Sequence, residues 1–302
     1  MSLDLRATIV ILAIVFSVLP LVPVSMRFYA RHKQHVSLGA DDYLIIPGVV
    51  FTVALGICIV IGVYYAHDGQ HVPLTPDGRP IFGDWYITFE KLQYAQVLLS
   101  ILAFAFIKAY ILMMYRRIFC GEKFRAATVI LLVIVCFWAV SFFLAVLLAC
   151  IPISKSFNSS IPGHCFNKVQ VYDGFAISNL IIDVAILTVP QPIVWKLNMS
   201  VRRKIAVSGV FLLGGFVVGI SAARIYFYYA VATPEKVLDT TYSTAPGAYW
   251  THIDASVAVV CACLPAIHHL FLSFSLGRII RSFASKISLR QHSKQSSEQL
   301  VV

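Results

Sequence analysis

Charge is what this chain has least of. Of its 302 residues 13% are charged and 59% are hydrophobic, where ordinary soluble domains carry about 25% charged residues. That scarcity excludes a soluble globular domain and points to a polytopic membrane protein. Seven cysteines are too few for a small disulfide scaffold in a chain of this size. No cysteine or histidine spacing suits a metal; Cys261 and Cys263 stand two apart, about 200° around a helix. No paired-carboxylate or nucleophile–base motif is legible. No internal repeat is present, so the inverted-repeat signature of many transporters is missing. The net charge of +10 does not point to nucleic acid, because the positive residues follow the loops.

Seven apolar runs stand out, at about 7–26, 43–66, 92–115, 127–150, 171–195, 205–231 and 251–275. About 20 apolar residues suffice to cross a bilayer. The expectation is an all-α, seven-transmembrane helix bundle over 1–277, followed by a basic, polar cytoplasmic tail at 278–302. The first run is too long for a signal peptide core, and no small-residue cleavage site precedes Arg27. Sixteen of the 24 Lys and Arg follow runs one, three, five and seven, and five lie on the opposite side. Positive residues collect on the cytoplasmic face, so the N terminus is expected outside or lumenal and the C terminus inside. Plasma and internal membranes share this topology.

The outer loops agree. Asn158-Ser159-Ser160 is a glycosylation sequon between runs four and five. Cys150 and Cys165 flank the same loop, on the oxidising side where a disulfide can persist. Asn198-Met199-Ser200 falls on the inner side and is expected to stay unmodified.

The chain is organised around 91–118, a run with a lysine inside it. Lys108 lies roughly 12 Å in from the cytoplasmic end of its helix, at ~1.5 Å per residue. A charge at that depth costs at least ~2.5–3.5 kcal/mol on insertion scales. Asp183, alone in run five, lies at a compatible depth. The pair either fixes helix register or works as a proton or conformational switch. Arg224 in run six and Asp254 in run seven share the outer half and form a plausible second pair. At the inner face Asp41-Asp42 opens run two and Arg116-Arg117 closes run three. These latch two helices, or else each is a solvated helix-end charge, since Asp also favours a helix N terminus without any partner.

Asp84, Trp85, Tyr86, Glu90 and Lys91 sit just above run three. With His252 they would rim an outward-facing pocket walled by Tyr226, Tyr228, Tyr229, Tyr249 and Trp250. The same aromatics also read as an interfacial belt. His67, Asp68 and His71 in the first outer loop give no regular metal geometry, and no metal site is expected. His268-His269 read as interfacial side chains. Pro190, Pro192 and Pro265 mark kinks. Gly215 and Gly219 form a GxxxG that packs helices within the bundle.

Several stretches line up in one order. They are Arg27-Phe28-Tyr29-Ala30-Arg31 with Leu38-Gly39-Ala40-Asp41-Asp42-Tyr43; Lys108 leading to Tyr115-Arg116-Arg117-Ile118-Phe119; Cys150-Ile151-Pro152 leading to Gly163-His164-Cys165; Asp183 leading to Val189-Pro190; Arg224; and Ala262-Cys263-Leu264-Pro265. On these the chain resembles the fungal rhodopsin-domain integral membrane proteins, including receptor-like Pth-type and satratoxin-cluster-type members. The resemblance covers about residues 10–280. It implies the seven-helix fold and an association with secondary-metabolite genes, and little about activity. Phe157 stands where Trp is usual, Asp254 where Glu is usual, and His268-His269 where a basic residue is usual. No cysteine-rich segment precedes run one. A retinal Schiff base needs a lysine in the last span, and 251–275 contains none, so no cofactor is expected.

Three functions compete. A receptor-like sensor would take a small lipophilic ligand in the outer pocket, with the charge pairs biasing two helix arrangements. Its inner loops are short, with no evident G-protein docking surface. A membrane enzyme, a cyclase or isomerase of a polyketide or terpenoid intermediate, would use Asp183 or Asp254 as the acid. A transport role ranks third, for want of repeats.

Overall fold

Backbone polar groups inside a bilayer must be satisfied within their own segment, so long apolar runs fold as helices. The computed structural model describes residues 5–33, 39–73, 75, 81, 83–118, 121–158, 161–191, 201–231 and 240–264, with side chains over 201–231 described at 209 and 212–226. Among these residues the α-helices are α1 (Leu5–Val18), α2 (Leu21–Lys33), α3 (Ala40–Tyr65), α4 (Asp84–Ile118), α5 (Glu122–Leu147), α6 (Lys168–Thr188), α7 (Val201–Val231) and α8 (Thr240–Leu264).

Six stretches are long and apolar enough to cross a membrane: Leu5–Lys33, Asp41–Tyr65, Asp84–Arg117, Glu122–Leu147, Lys168–Thr188 and Thr240–Leu264. Run one is broken into α1 and α2 around Leu19-Pro20, where proline supplies no backbone N–H. Run six falls in α7, whose apolar stretch among the described side chains is Leu212–Tyr226. The expected seventh crossing therefore rests on that helix. Run three starts early, at Asp84 rather than 92. Run seven starts at Thr240 rather than 251. In both cases the first turns are polar or aromatic, so hydropathy marks where the apolar part begins and misses the helix above it.

Helix α4 is central. Its 35 residues span about 52 Å at 1.5 Å each, well beyond the ~30 Å hydrocarbon layer. It packs against α3 and α5, while α1 lies on α3 and α6 on α7. One buried core joins Ile45, Ile101, Phe104, Tyr110, Trp138 and Val259. A smaller second core joins Ile9, Ala13, Leu55, Ile59 and Ala245. Large apolar side chains also point outward, among them Ile11, Val50, Phe137, Ile181 and Leu212. An apolar exterior of that extent suits lipid rather than water.

Between α5 and α6 the chain forms a two-stranded antiparallel hairpin, β1 (Cys150–Ile151) and β2 (His164–Cys165). Cys150 and Cys165 are paired in register and joined by a disulfide. Lys168 ties this loop down, donating to the Ser156 carbonyl at 2.8 Å and to Glu90 of α4 at 3.1 Å. Phe157 packs edge-on against Tyr94.

Several sequence expectations lie outside the described side chains. They are Lys196, Arg202, Arg203 and Lys204, the Asn198 sequon, Pro192, Pro265, Tyr228, Tyr229, His268, His269 and the tail.

Candidate functional site

Three layers of charge run through the bundle. The one at the α2–α3 end is a clamp. Asp41 and Asp42 open α3 within its first turn, and Asp42 also accepts from the Gly39 backbone N–H at 2.9 Å. Both acids meet α2. Arg27 donates to Asp41 at 2.6 Å and to Asp42 at 2.9 Å; Arg31 reaches Asp41 at 3.0 Å and Asp42 at 2.5 Å. Arg27 and Arg31 are four apart, so they share one face of α2. Arg27 is 1% exposed and lies over the ring of Tyr110, whose hydroxyl donates to the Ala262 carbonyl of α8.

Of the two readings of Asp41-Asp42 and Arg116-Arg117, latch or solvated helix ends, the latch is present in part. Arg117 does join Asp41, at 3.3 Å, but from a side chain 45% exposed. Arg116 turns away and contacts the sulfur of Met113. The acids belong first to α2, because Arg27 and Arg31 approach from inside the protein while the α4 arginines sit at its edge. Their i, i+4 spacing was the readable signal.

The middle layer holds both intramembrane pairs. Lys108 of α4 binds Asp183 of α6, and its ammonium also lies 3.4 Å from the Asn179 carbonyl. The Asn179 amide donates to the second oxygen of Asp183 at 3.1 Å. Arg224 of α7 faces Asp254 of α8 at 3.3 Å. Ser221, one turn before Arg224, donates its hydroxyl to Asp254. The two pairs are one cluster. Phe104, one turn from Lys108, puts its ring 5.9 Å from the Lys108 ammonium and 5.3 Å from the Arg224 guanidinium. Phe175 covers Arg224 as well, at 5.8 Å, and is itself stacked on Trp138. Sequence reasoning found the four charges and missed Phe104, Asn179 and Ser221, which carry no charge to draw attention.

A cavity of about 60 Å³ opens beside the cluster, lined by Phe104, Lys108, Asp183, Val217, Ala258 and neighbouring apolar side chains. That is room for roughly two waters, or the head of a ligand, and far below the ~300–1,000 Å³ of a drug-sized pocket.

The layer at the opposite end of the bundle differs from the expected rim. Trp85 packs between His67 and Tyr86. Glu90 accepts from the Tyr86 hydroxyl at 3.0 Å and from Lys168, so it serves the disulfide loop. Asp84 is exposed at the start of α4. Tyr226 is 68% exposed and faces outward. His252 is 1% exposed, too deep for a rim. Its Nε2 lies 3.2 Å from the Ser17 hydroxyl and 3.2 Å from the Ala13 carbonyl, which stitches α8 to α1. Gly56 of α3 lets them meet, since a Cβ there would run into Ser17 and His252.

In the loop after α3 His67 adopts a left-handed conformation. His71 stacks on Tyr242 at 4.1 Å. Asp68 turns inward and is 2% exposed, with one carboxylate oxygen lacking a hydrogen-bond partner. Burial pushes its carboxyl up to about 7, against a small opposing effect of the Gly69 N–H.

Apolar helices carrying buried charge pairs, with a disulfide-closed loop between two of them, define a multi-pass helical membrane protein. Within that class the chain belongs to the fungal rhodopsin domain family, whose domain matches residues 26–273. It is 24% identical over 269 residues to the polyenoic acids biosynthesis gene cluster protein Ba17b of Metarhizium anisopliae, covering 83% of this chain and 70% of that protein. It is 26% identical over 315 residues to the wortmanamides biosynthesis cluster protein C of Talaromyces wortmannii, covering 95% of this chain and 80% of that protein. It is 24% identical over 291 residues to the receptor GIN3 of Arthrobotrys oligospora, covering 93% of this chain and 66% of that protein. No solved structure matches.

Proposed function

We propose that this protein is a seven-span, receptor-like sensor of a small lipophilic molecule, working within a fungal secondary-metabolite pathway. The observation that carries the reading is the fused cluster Lys108–Asp183–Phe104–Arg224–Asp254. It links α4, α6, α7 and α8 through charges that lose heavily if any one loses its partner. A ligand that enters beside Phe104 would shift the balance between two helix arrangements, as a sensor requires. The cavity admits only part of a ligand, so binding has to part the helices, and the inner clamp with its exposed Arg117 is where that movement would be read out. Relatives named for biosynthesis clusters and one named a receptor support the setting.

The remaining details belong to this reading. The seventh span is α7. The N terminus lies outside or in the lumen, the C terminus in the cytoplasm, and Asn158 carries a glycan. The partners are the bilayer and the ligand, with no nucleic acid. No retinal is bound, for want of a lysine in the last span.

A second reading has one observation in its favour: Asp183 lines the cavity, where an acid of a cyclase or isomerase would stand. Gene deletion with metabolite profiling separates the two. Unchanged product structures in altered amounts are expected for the sensor. Accumulation of one unfinished intermediate, cleared by the wild-type gene and not by an Asp183→Asn allele, would replace the sensor with the enzyme.

A further inference from the structure

The Lys108–Asp183 pair is well supplied with hydrogen bonds, and the Arg224–Asp254 pair is not. Arg224 is 3% exposed, and its Nε, Nη1 and Nη2 all lack a hydrogen-bond partner. Guanidinium presents five N–H donors in a planar fork. Asp254 approaches one corner at 3.3 Å without hydrogen-bond geometry, and the single Ser221 hydroxyl lies between its two oxygens. The faces of the fork lie against Phe104 and Phe175, which offer attraction to the cation and no acceptor. Buried donors left empty are costly, most of all on a charged group, and in a folded protein they call for an explanation.

We propose that Arg224 anchors a binding site for a neutral lipophilic molecule through a carbonyl oxygen, in the manner of a lactone, ester or amide. Charge decides against an acid. Two cations and two carboxylates already balance in this cluster, and one more carboxylate would leave a net negative charge in a low-dielectric interior. A neutral carbonyl fills the empty donors and leaves the balance as it is. A hydrocarbon fills none. Space agrees: Phe104, whose ring also covers Arg224, lines the cavity, and Arg224 itself stands behind that ring rather than in the lining. A turn of that side chain joins the two and gives the carbonyl its path, with the apolar remainder between Val217, Leu213 and Ile111.

The inference rests on the sensor reading for its ligand and goes beyond it in naming the chemistry. Two sources share that chemistry, a metabolite and the ester carbonyls of bilayer lipids. The test uses the full chain in nanodiscs of ether-linked phosphatidylcholine, which carry no ester carbonyl. Trp85, Trp195 and Trp250 are changed to Phe, so that Trp138, stacked on Phe175, reports alone. The probes are γ-dodecalactone, dodecanoate and dodecane.

The lactone is expected to change Trp138 emission at about tenfold or lower concentration than either other probe, the size of effect for a hydrogen bond to a charged donor. Arg224→Lys keeps the charge and loses the fork, and should remove that preference. Val217→Phe leaves Arg224 untouched, fills the cavity and should remove binding, which keeps the test decisive if the Arg224 variant does not fold. Saturation by ester-linked nanodiscs alone would assign the site to lipid. Equal response to lactone and dodecane, preference for dodecanoate, or lactone binding unchanged by both variants would overturn the proposal. The sensor reading would then stand or fall separately on the deletion experiment. Lactone binding together with an accumulated intermediate would keep the site and make it a substrate site.

Discussion

At the residue scale, burial sets what each charge can do. Lys108 and Asp183 hold each other deep in the bundle, so removing one leaves the other uncompensated. Asp183→Leu alone is expected to cost ~3–5 kcal/mol, read as a fall in the melting temperature of the purified protein. Lys108→Met with Asp183→Leu should recover most of that loss. If the double variant is stable and still senses, the pair fixes register; if it is stable and silent, the pair is the switch. Asp68 gives a pH dependence. Its carboxyl sits at about 7 in the fold against an ordinary value of 3.8, so the fold prefers the protonated form. The stability it contributes is complete below about pH 4, is lost as pH rises through 7, and stays flat above. At ~1.36 kcal/mol per unit the ceiling is about 4 kcal/mol. Asp68→Asn should abolish that slope in melting temperature against pH and stabilise the protein at neutral pH.

At the element scale the inner face is a clamp between α2 and α3 with α4 attached at its edge. Arg27 is buried between two carboxylates, and Arg27→Ala should cost ~3–5 kcal/mol or prevent folding. Arg117→Ala removes a half-exposed contact and should cost under ~1 kcal/mol. Denaturation of the two variants side by side checks the ranking; equal losses would make α4 a full member of the clamp. At the α1–α8 seam Gly56 of α3 leaves the space in which Ser17 and His252 meet. Gly56→Leu should drive α1 away from His252, at ~1–3 kcal/mol or more, and expose the thiol introduced by Ser17→Cys to a maleimide reagent. A thiol that stays unreactive in that background would show that the seam yields elsewhere.

At the scale of the whole molecule the expectation is topological. With the N terminus outside, a glycosidase should shift the protein in a gel, and the shift should vanish in Asn158→Gln and persist in Asn198→Gln. The reverse pattern would invert the bundle. The central place of α4 was legible, because a lysine inside an apolar run demands a partner. So was Cys150 with Cys165, which flank one short loop. The rim drawn around His252 and Tyr226 was not. One is buried against Ser17 and the other faces outward, and periodicity cannot tell a pocket wall from an outer wall when both faces of a helix are apolar.

The sequence by itself determined that this is a helical membrane protein, and its motifs placed it in its family. It also marked Lys108, Asp183, Arg224 and Asp254 as charges inside the bundle, since hydropathy and charge are properties of each segment taken alone. Only the tertiary structure decided how the two pairs join and which arginines meet Asp41 and Asp42. It gave Asp41 and Asp42 to Arg27 and Arg31 before Arg117, and it joined two ion pairs into one cluster around Phe104. It also left Arg224 with empty donors. Lys108 and Asp183 are 75 residues apart, and which helix stands beside which is settled by packing across the bundle. Uncharged residues such as Phe104 and Gly56 govern that packing, and their role shows only when their neighbours are in place.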